Sequence, residues 1–190
     1  MPDRSTHHRR RFADRGQSVV EFALVLPIML ILLLGVIDLA RVYTTMLSVE
    51  SAAREAADFG TTMGAGRWQV GAPLDDTVAD MQERACVASS ELPDYTDPDD
   101  DPATGCTNPA FEYCVTSSIG GTCDFPLSGG AGCEDPTRNP PCWVTVKLTY
   151  DFRLIAPMGI DFFGVRLGLP DHLTFVRDST YAMTDIDVAP

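Results

Sequence analysis

The sequence predicts an α+β protein: a long N-terminal helix, transmembrane and then amphipathic, followed by a small disulfide-stabilised domain with a C-terminal antiparallel β-sheet. Three observations carry this prediction. Residues 22–37 form an apolar run interrupted only by Pro27 and Gly35. All six cysteines lie beyond that run. Two segments near the C-terminus have the composition or alternation of strands.

Residues 1–16 are read as a basic leader, short and unlike a folded element. They carry five arginines against Asp3 and Asp14, a net charge of +3. From Gln17 to about Gly60 the pattern is that of one continuous helix. Its first half, Val19 to Ile37, spans 19 residues, and at about 1.5 Å per residue it covers roughly 28 Å, the thickness of a bilayer core. Pro27 removes one backbone donor, which membrane helices tolerate better than soluble ones. The second half, Asp38 to Phe59, is amphipathic, with Met46, Leu47, Val49, Ala52, Ala53, Ala56 and Ala57 supplying apolar or small positions. Glu50 and Arg54 stand one turn apart with the acid first, the favourable order. Gly60, at the head of a Gly- and Thr-rich stretch, is the expected helix stop.

Residues 61–190 form the predicted extracytoplasmic domain. Leu74, Val78, Met81 and Ala85 recur at helical spacing within residues 74–90. Residues 91–142 hold 8 prolines and five of the six cysteines, a density of breakers that argues against regular structure. Beyond them, Trp143, Thr145, Lys147, Thr149 and Asp151 alternate with Val144, Val146, Leu148, Tyr150 and Phe152, the signature of a half-buried strand. Leu173 to Met183 is a second strand-like run, reached through an apolar connection from Leu154 to Leu169.

Charge and cysteine usage place the two ends of the chain. The arginines sit on one flank of the apolar run, which by the positive-inside rule keeps that end cytoplasmic. Residues 39–190 carry 9 basic and 23 acidic side chains, a net −14, which excludes a nucleic-acid-binding face. Cys86, Cys106, Cys114, Cys123, Cys133 and Cys142 are even in number and suit an oxidising compartment, where three disulfides staple a loop-rich fold. Their 15 possible pairings stay open, and with no C-x-x-C pair they do not read as a metal site. Asp97, Asp99 and Asp101 alternate like the opening of a calcium loop. Pro102 stands where such a loop wants glycine and Asn108 where it wants its final glutamate, so the segment reads as a solvated acidic loop. His172 has no second histidine beside it outside the leader, and no catalytic set can be assembled around it. Trp68 and Trp143 read as core or interfacial residues. No enzymatic activity, metal or cofactor is expected.

The junction Gly16-Gln17-Ser18-Val19-Val20-Glu21-Phe22 holds the chemistry. A glycine lets a protease approach the backbone closely. An acid at the head of an apolar helix is costly unless it finds a partner. Cutting after Gly16 creates an α-amine on Gln17 that the Glu21 carboxylate of a neighbouring copy can neutralise, fixing the register of packed helices. The bland reading leaves Glu21 at head-group level, beside the positive end of the helix.

The segment from Arg15 to Pro27, with Gly35-Val36-Ile37-Asp38-Leu39-Ala40-Arg41 and Ala52-Ala53-Arg54-Glu55-Ala56-Ala57, resembles the N-terminus of TadE-like proteins, minor pseudopilins of tight-adherence (Flp-type) pilus systems. The likeness covers about residues 15–60, roughly a quarter of the chain. It implies cleavage after Gly16 by a prepilin peptidase, with Glu21 as the acid at the fifth mature position. Implied partners are that peptidase, other pilins and minor pseudopilins, the pilus assembly machinery and the lipid bilayer of the bacterial inner membrane. The cysteine-rich stretch from residue 86 to 142 stands outside the short family core. Gln17 replaces the aromatic first residue usual in type IV pilins, which favours the tight-adherence branch. A rival reading is an uncleaved signal anchor carrying an adhesin-like binding module.

Overall fold

The computed structural model describes residues 8–62, 68, 72–117, 123, 125, 133, 141–155, 159–162, 165–168 and 171–184. Helix α1 runs from His8 to Thr62 and helix α2 from Ala72 to Ser89. Among the described residues five strands follow: β1 (Ala110–Thr116), β2 (Trp143–Arg153), β3 (Gly159–Phe162), β4 (Val165–Gly168) and β5 (His172–Ala182). The fold is α+β. The chain divides into two compact units, Met1–Arg41 and Val42–Pro190, and α1 belongs to both.

In the N-terminal unit, α1 begins at His8 rather than at Gln17. Half of the leader is therefore helical, because Arg9 to Arg15 contains no glycine or proline to stop propagation upstream of the apolar run. The helix continues through Pro27, as expected.

The second unit is built on a three-stranded antiparallel sheet in the order β1-β2-β5. Strand β2 lies in the centre, and Val144, Val146, Leu148, Tyr150 and Phe152 on one of its faces are fully buried. Thr45, Val49, Ala52, Ala53, Ala56 and Ala57 of α1 are buried at intervals of three and four residues, the apolar stripe of a helix with one covered face. Four of those six are alanine, so the helix backbone comes close to its neighbours. Met81 and Ala85 of α2 join the same core, as does Trp68.

Gly60 does not stop α1, which ends two residues later. A Cβ there would lie 2.6 Å from Met81 Sδ and 3.3 Å from the Trp68 ring, so the glycine makes room for two buried side chains. The stop is chemical instead. Four carbonyls near its end, those of Asp58 to Thr61, each receive a donor from a side chain or a distant backbone. Thr61 Oγ1 donates to Asp58 O at 2.7 Å, Thr62 Oγ1 to Phe59 O at 3.0 Å, Trp68 Nε1 to Gly60 O at 3.0 Å and Thr184 N to Thr61 O at 3.3 Å.

The tract from residue 91 to 142 departs from the expectation of irregular structure. It holds β1, which pairs with β2 over seven residues from Ala110↔Thr149 to Thr116↔Trp143. Phe111, Tyr113 and Val115 alternate there with Glu112, Cys114 and Thr116, a period of two that the surrounding prolines and cysteines mask. A short 3₁₀ turn, Pro102–Thr104, also lies in this tract. The apolar connection after Leu154 contains a further two-stranded antiparallel sheet, β3 with β4. The expected strands at residues 143–152 and 173–183 are β2 and β5, paired antiparallel along eleven residues.

The cysteines join as Cys86–Cys106, Cys114–Cys123 and Cys133–Cys142, with Cα–Cα distances of 5.5, 5.8 and 5.8 Å. Each cysteine therefore pairs with a near neighbour in sequence, and no free cysteine is left. The first bridge ties the end of α2 to the loop before β1. The second ties β1 to the chain beyond it, and the third closes onto the start of β2.

Candidate functional site

Gly16 and Gln17 both lie within α1, not in a loop. Gln17 is exposed, and its Nε2 donates to Glu21 Oε1 at 3.1 Å, one helical turn on. The two residues named by the junction argument are thus in direct contact. A cut at residue 16 would place a new amine on the residue that already reaches this carboxylate.

Downstream of Glu21 the helix presents apolar side chains in every direction. Phe22, Leu24, Ile28, Leu32 and Val36 each stand more than half exposed, and none of Val19–Ile37 is buried. Such a helix is stable only in apolar surroundings, namely a bilayer core or the flanks of other helices. At about 25 cal/mol per Å² of apolar surface, water would make this run costly by many kcal/mol. The apolar character ends at Asp38, a buried acid whose Oδ1 stands 3.5 Å from Arg41 Nη1 one turn along. One helix thus carries a carboxylate at each end of its apolar run, Glu21 exposed and Asp38 buried.

The comparison with known proteins falls on the same segment. Residues 16–58 match the family model of TadE-like proteins, which begins at the glycine of the junction and stops near the end of α1. The chain from residue 59 onward lies outside that match. No curated protein and no solved structure matches the chain.

The other residues singled out in the sequence take structural positions. Trp68 is buried, and Trp143 is half-buried at the start of β2. His172 Nδ1 is 2.8 Å from Asp171 Oδ1 on the surface, and this neighbour lowers the Asp171 carboxyl below its usual range. The acidic loop uses its carboxylates on its own backbone. Asp97 Oδ1 accepts from Asp99 N at 3.1 Å and Asp101 N at 3.0 Å, and Asp101 Oδ1 accepts from Ala103 N at 3.0 Å. Among the described residues, no group of three or more metal-binding side chains is placed to hold an ion.

One organising residue escaped the sequence reading. Asn108, considered there only as a misplaced calcium ligand, clamps the loop to the end of β2. Its Nδ2 donates to Asp94 O at 2.6 Å and Asp151 O at 2.8 Å, and its Oδ1 accepts from Asp151 N at 2.9 Å. Asp94 completes the joint: its N–H donates to Tyr150 Oη at 3.0 Å and its Oδ2 accepts from Arg153 N at 2.7 Å. The available signal was the Asn108-Pro109 pair, a turn dipeptide that leaves the amide side chain free to bridge backbones.

Proposed function

We propose that this protein is a minor pseudopilin of a tight-adherence, Flp-type pilus system, taking part in assembly or priming of a pilus for surface attachment. The observation that carries the reading is the match of residues 16–58 to the TadE-like family, which supports an association with such systems. It coincides with a helix that is apolar on every side and has an acid near its head. In this reading α1 crosses the bacterial inner membrane once, with the arginine-rich end cytoplasmic and the disulfide-linked body outside. The oxidising exterior suits the three disulfides.

The proposed maturation is a cut between Gly16 and Gln17 by a prepilin peptidase. Because both residues sit in α1, the first turns must unwind for the scissile peptide to enter an active site in extended form. Glycine at that point lowers the cost of unwinding, since it contributes less to helix stability than any residue but proline. The mature helix then packs beside other pilin helices, and the role is structural, without a reaction of its own. Mass spectrometry of the protein from cells with an active prepilin peptidase should find a chain beginning at Gln17. An intact Met1 in those cells overturns the proposal and leaves the uncleaved anchor with a binding module. Replacing Gly16 by a bulky residue separates the two readings, because a simple anchor tolerates it.

A further inference from the structure

We propose that the β3–β4 hairpin is a second membrane contact, seating its apolar face in the interface of the bilayer that α1 crosses. The inference rests on the reading of α1 as a membrane span and adds a lipid-binding surface on the body itself. Within the second unit, Thr184 N donates to Thr61 O at 3.3 Å, so the Ala182 end of β5 meets the C-terminal end of α1. The buried side of α1 from Thr45 to Thr61 is roughly 24 Å long. The sheet is only about 10 Å wide between its outer strands, so the helix lies along the strands rather than across them. Val42 packs on the core and leads back to the apolar run. It therefore lies towards the other end of the sheet, where Arg153 pairs with His172. Strand β2 leaves the sheet there and β5 enters it, and the chain between them carries the hairpin.

The pairing of Ile160 with Leu167 and of Phe162 with Val165 puts four apolar residues on one face of the hairpin. Asp161 pairs with Arg166 on the other face. The two strands join no other described strand. A lone two-stranded hairpin is marginal in water and needs a surface on which to bury its apolar face. Described residues at this end of the body are also apolar and exposed: Ile155 is 61% exposed just after β2, and Tyr43 60% exposed on α1. Tyrosine is favoured at the head-group level of a membrane.

Charge and tethering select the bilayer as the occupant. Residues 152–170 carry Arg153 and Arg166 against Asp161, a net +1, within residues 39–190, whose net is −14. An anionic lipid surface repels the rest of the body and attracts this stretch. A second copy would bring its own acidic body, which repels at low salt. Val42 follows Ile37, the last residue of the apolar run, by roughly 8 Å of continuous helix. The bilayer is thus an apolar surface that the chain keeps permanently within reach of this end of the body.

The test uses the full chain in vesicles of phosphatidylcholine and phosphatidylglycerol. One environment-sensitive fluorophore is placed on an introduced cysteine, the natural cysteines all being paired. Ile155→Cys and Phe162→Cys sample the hairpin end, Tyr181→Cys the far end of β5 and Leu30→Cys the anchor. Interfacial insertion seats an apolar face about 5–10 Å into the head-group boundary. Lipids carrying a quencher high on the acyl chain should therefore quench Ile155→Cys and Phe162→Cys about threefold more than Tyr181→Cys. Ile155 is exposed, so its substitution tests the proposal even where Phe162→Cys weakens the hairpin. Adding Ile160→Asp and Phe162→Asp to the Ile155→Cys chain should bring its quenching down to that of Tyr181→Cys. An unquenched Leu30→Cys overturns the anchor together with the hairpin contact. A quenched Leu30→Cys, with Ile155→Cys no more quenched than Tyr181→Cys, overturns the hairpin contact alone. Blue-shifted emission at 155 and 162 without lipid quenching means that the hairpin is seated on protein, its own body or a second copy, and overturns it too. Unchanged quenching in the aspartate variant has the same consequence.

Discussion

Asn108 shows how much one side chain can decide in a loop-rich domain. It supplies both amide functions to backbones 14 and 43 residues away, and so joins the loop after α2 to the end of the central strand. Asn108→Ala leaves two carbonyls and one N–H without these bonds, and we expect a loss of about 2–4 kcal/mol in a denaturant titration. Asn108→Asp should recover only the acceptor half of the clamp. Tyr95, in the same loop, has its hydroxyl pushed up to about 12, first by burial and then by the carboxylates of Asp97 and Asp101. The folded state holds this proton more tightly than the unfolded chain, whose tyrosine loses it near pH 10.0. The associated stability is therefore complete below pH 10 and is lost as pH rises towards 12. In Tyr95→Phe that part of the alkaline decline should vanish. Tyr113, also raised chiefly by burial, should leave a residual decline.

At the scale of elements, the three disulfides compensate for what the prolines prevent. Among its described residues, the tract between α2 and β2 contributes one seven-residue strand and one short 3₁₀ turn. Cys86–Cys106 closes a separation of 20 residues, and each of the others closes 9. By loop-closure entropy the first contributes about 3 kcal/mol and each of the others about 2.5 kcal/mol. Cys86→Ser with Cys106→Ser should thus lower stability most, and urea unfolding of the three double variants checks the order. Helix α1 works differently along its length. From Phe22 to Leu34 its side chains are apolar and exposed, whereas from Thr45 a stripe rich in alanine is buried in the core. The composition of the helix faces changes along its length while its backbone does not.

For the whole molecule, the proposed role makes Glu21 a residue of assembly rather than of folding. It is exposed, touches Gln17, and belongs to the N-terminal unit. Glu21→Ala should leave membrane insertion and the stability of the body unchanged while blocking pilus assembly, scored by electron microscopy of the cells. Normal piliation in that variant would remove the pairing argument. The net −14 of residues 39–190 gives a strongly acidic surface whose copies repel one another at low salt.

Much of this was legible from the chain alone. Val19 to Ile37 could only be an apolar helix, because composition over nineteen residues needs no partner to declare itself. The alternation from Trp143 to Phe152 foretold β2, since one face of that strand is wholly buried and the period survives intact. The junction from Gly16 to Glu21 was equally local, being a matter of residue types at fixed spacing. What the tertiary structure decided was everything that depends on two distant segments meeting. The choice among fifteen cysteine pairings needed the positions of β1 and β2. The strand β1 emerged from a stretch of breakers only because β2 offers it a ladder. Asn108 became a clamp, and Gly60 a gap for Met81 and Trp68, through contacts that no spacing encodes. Local pattern reports the energy a segment carries by itself, while pairing and close approach report energy shared between segments, and the second appears only when the chain is folded.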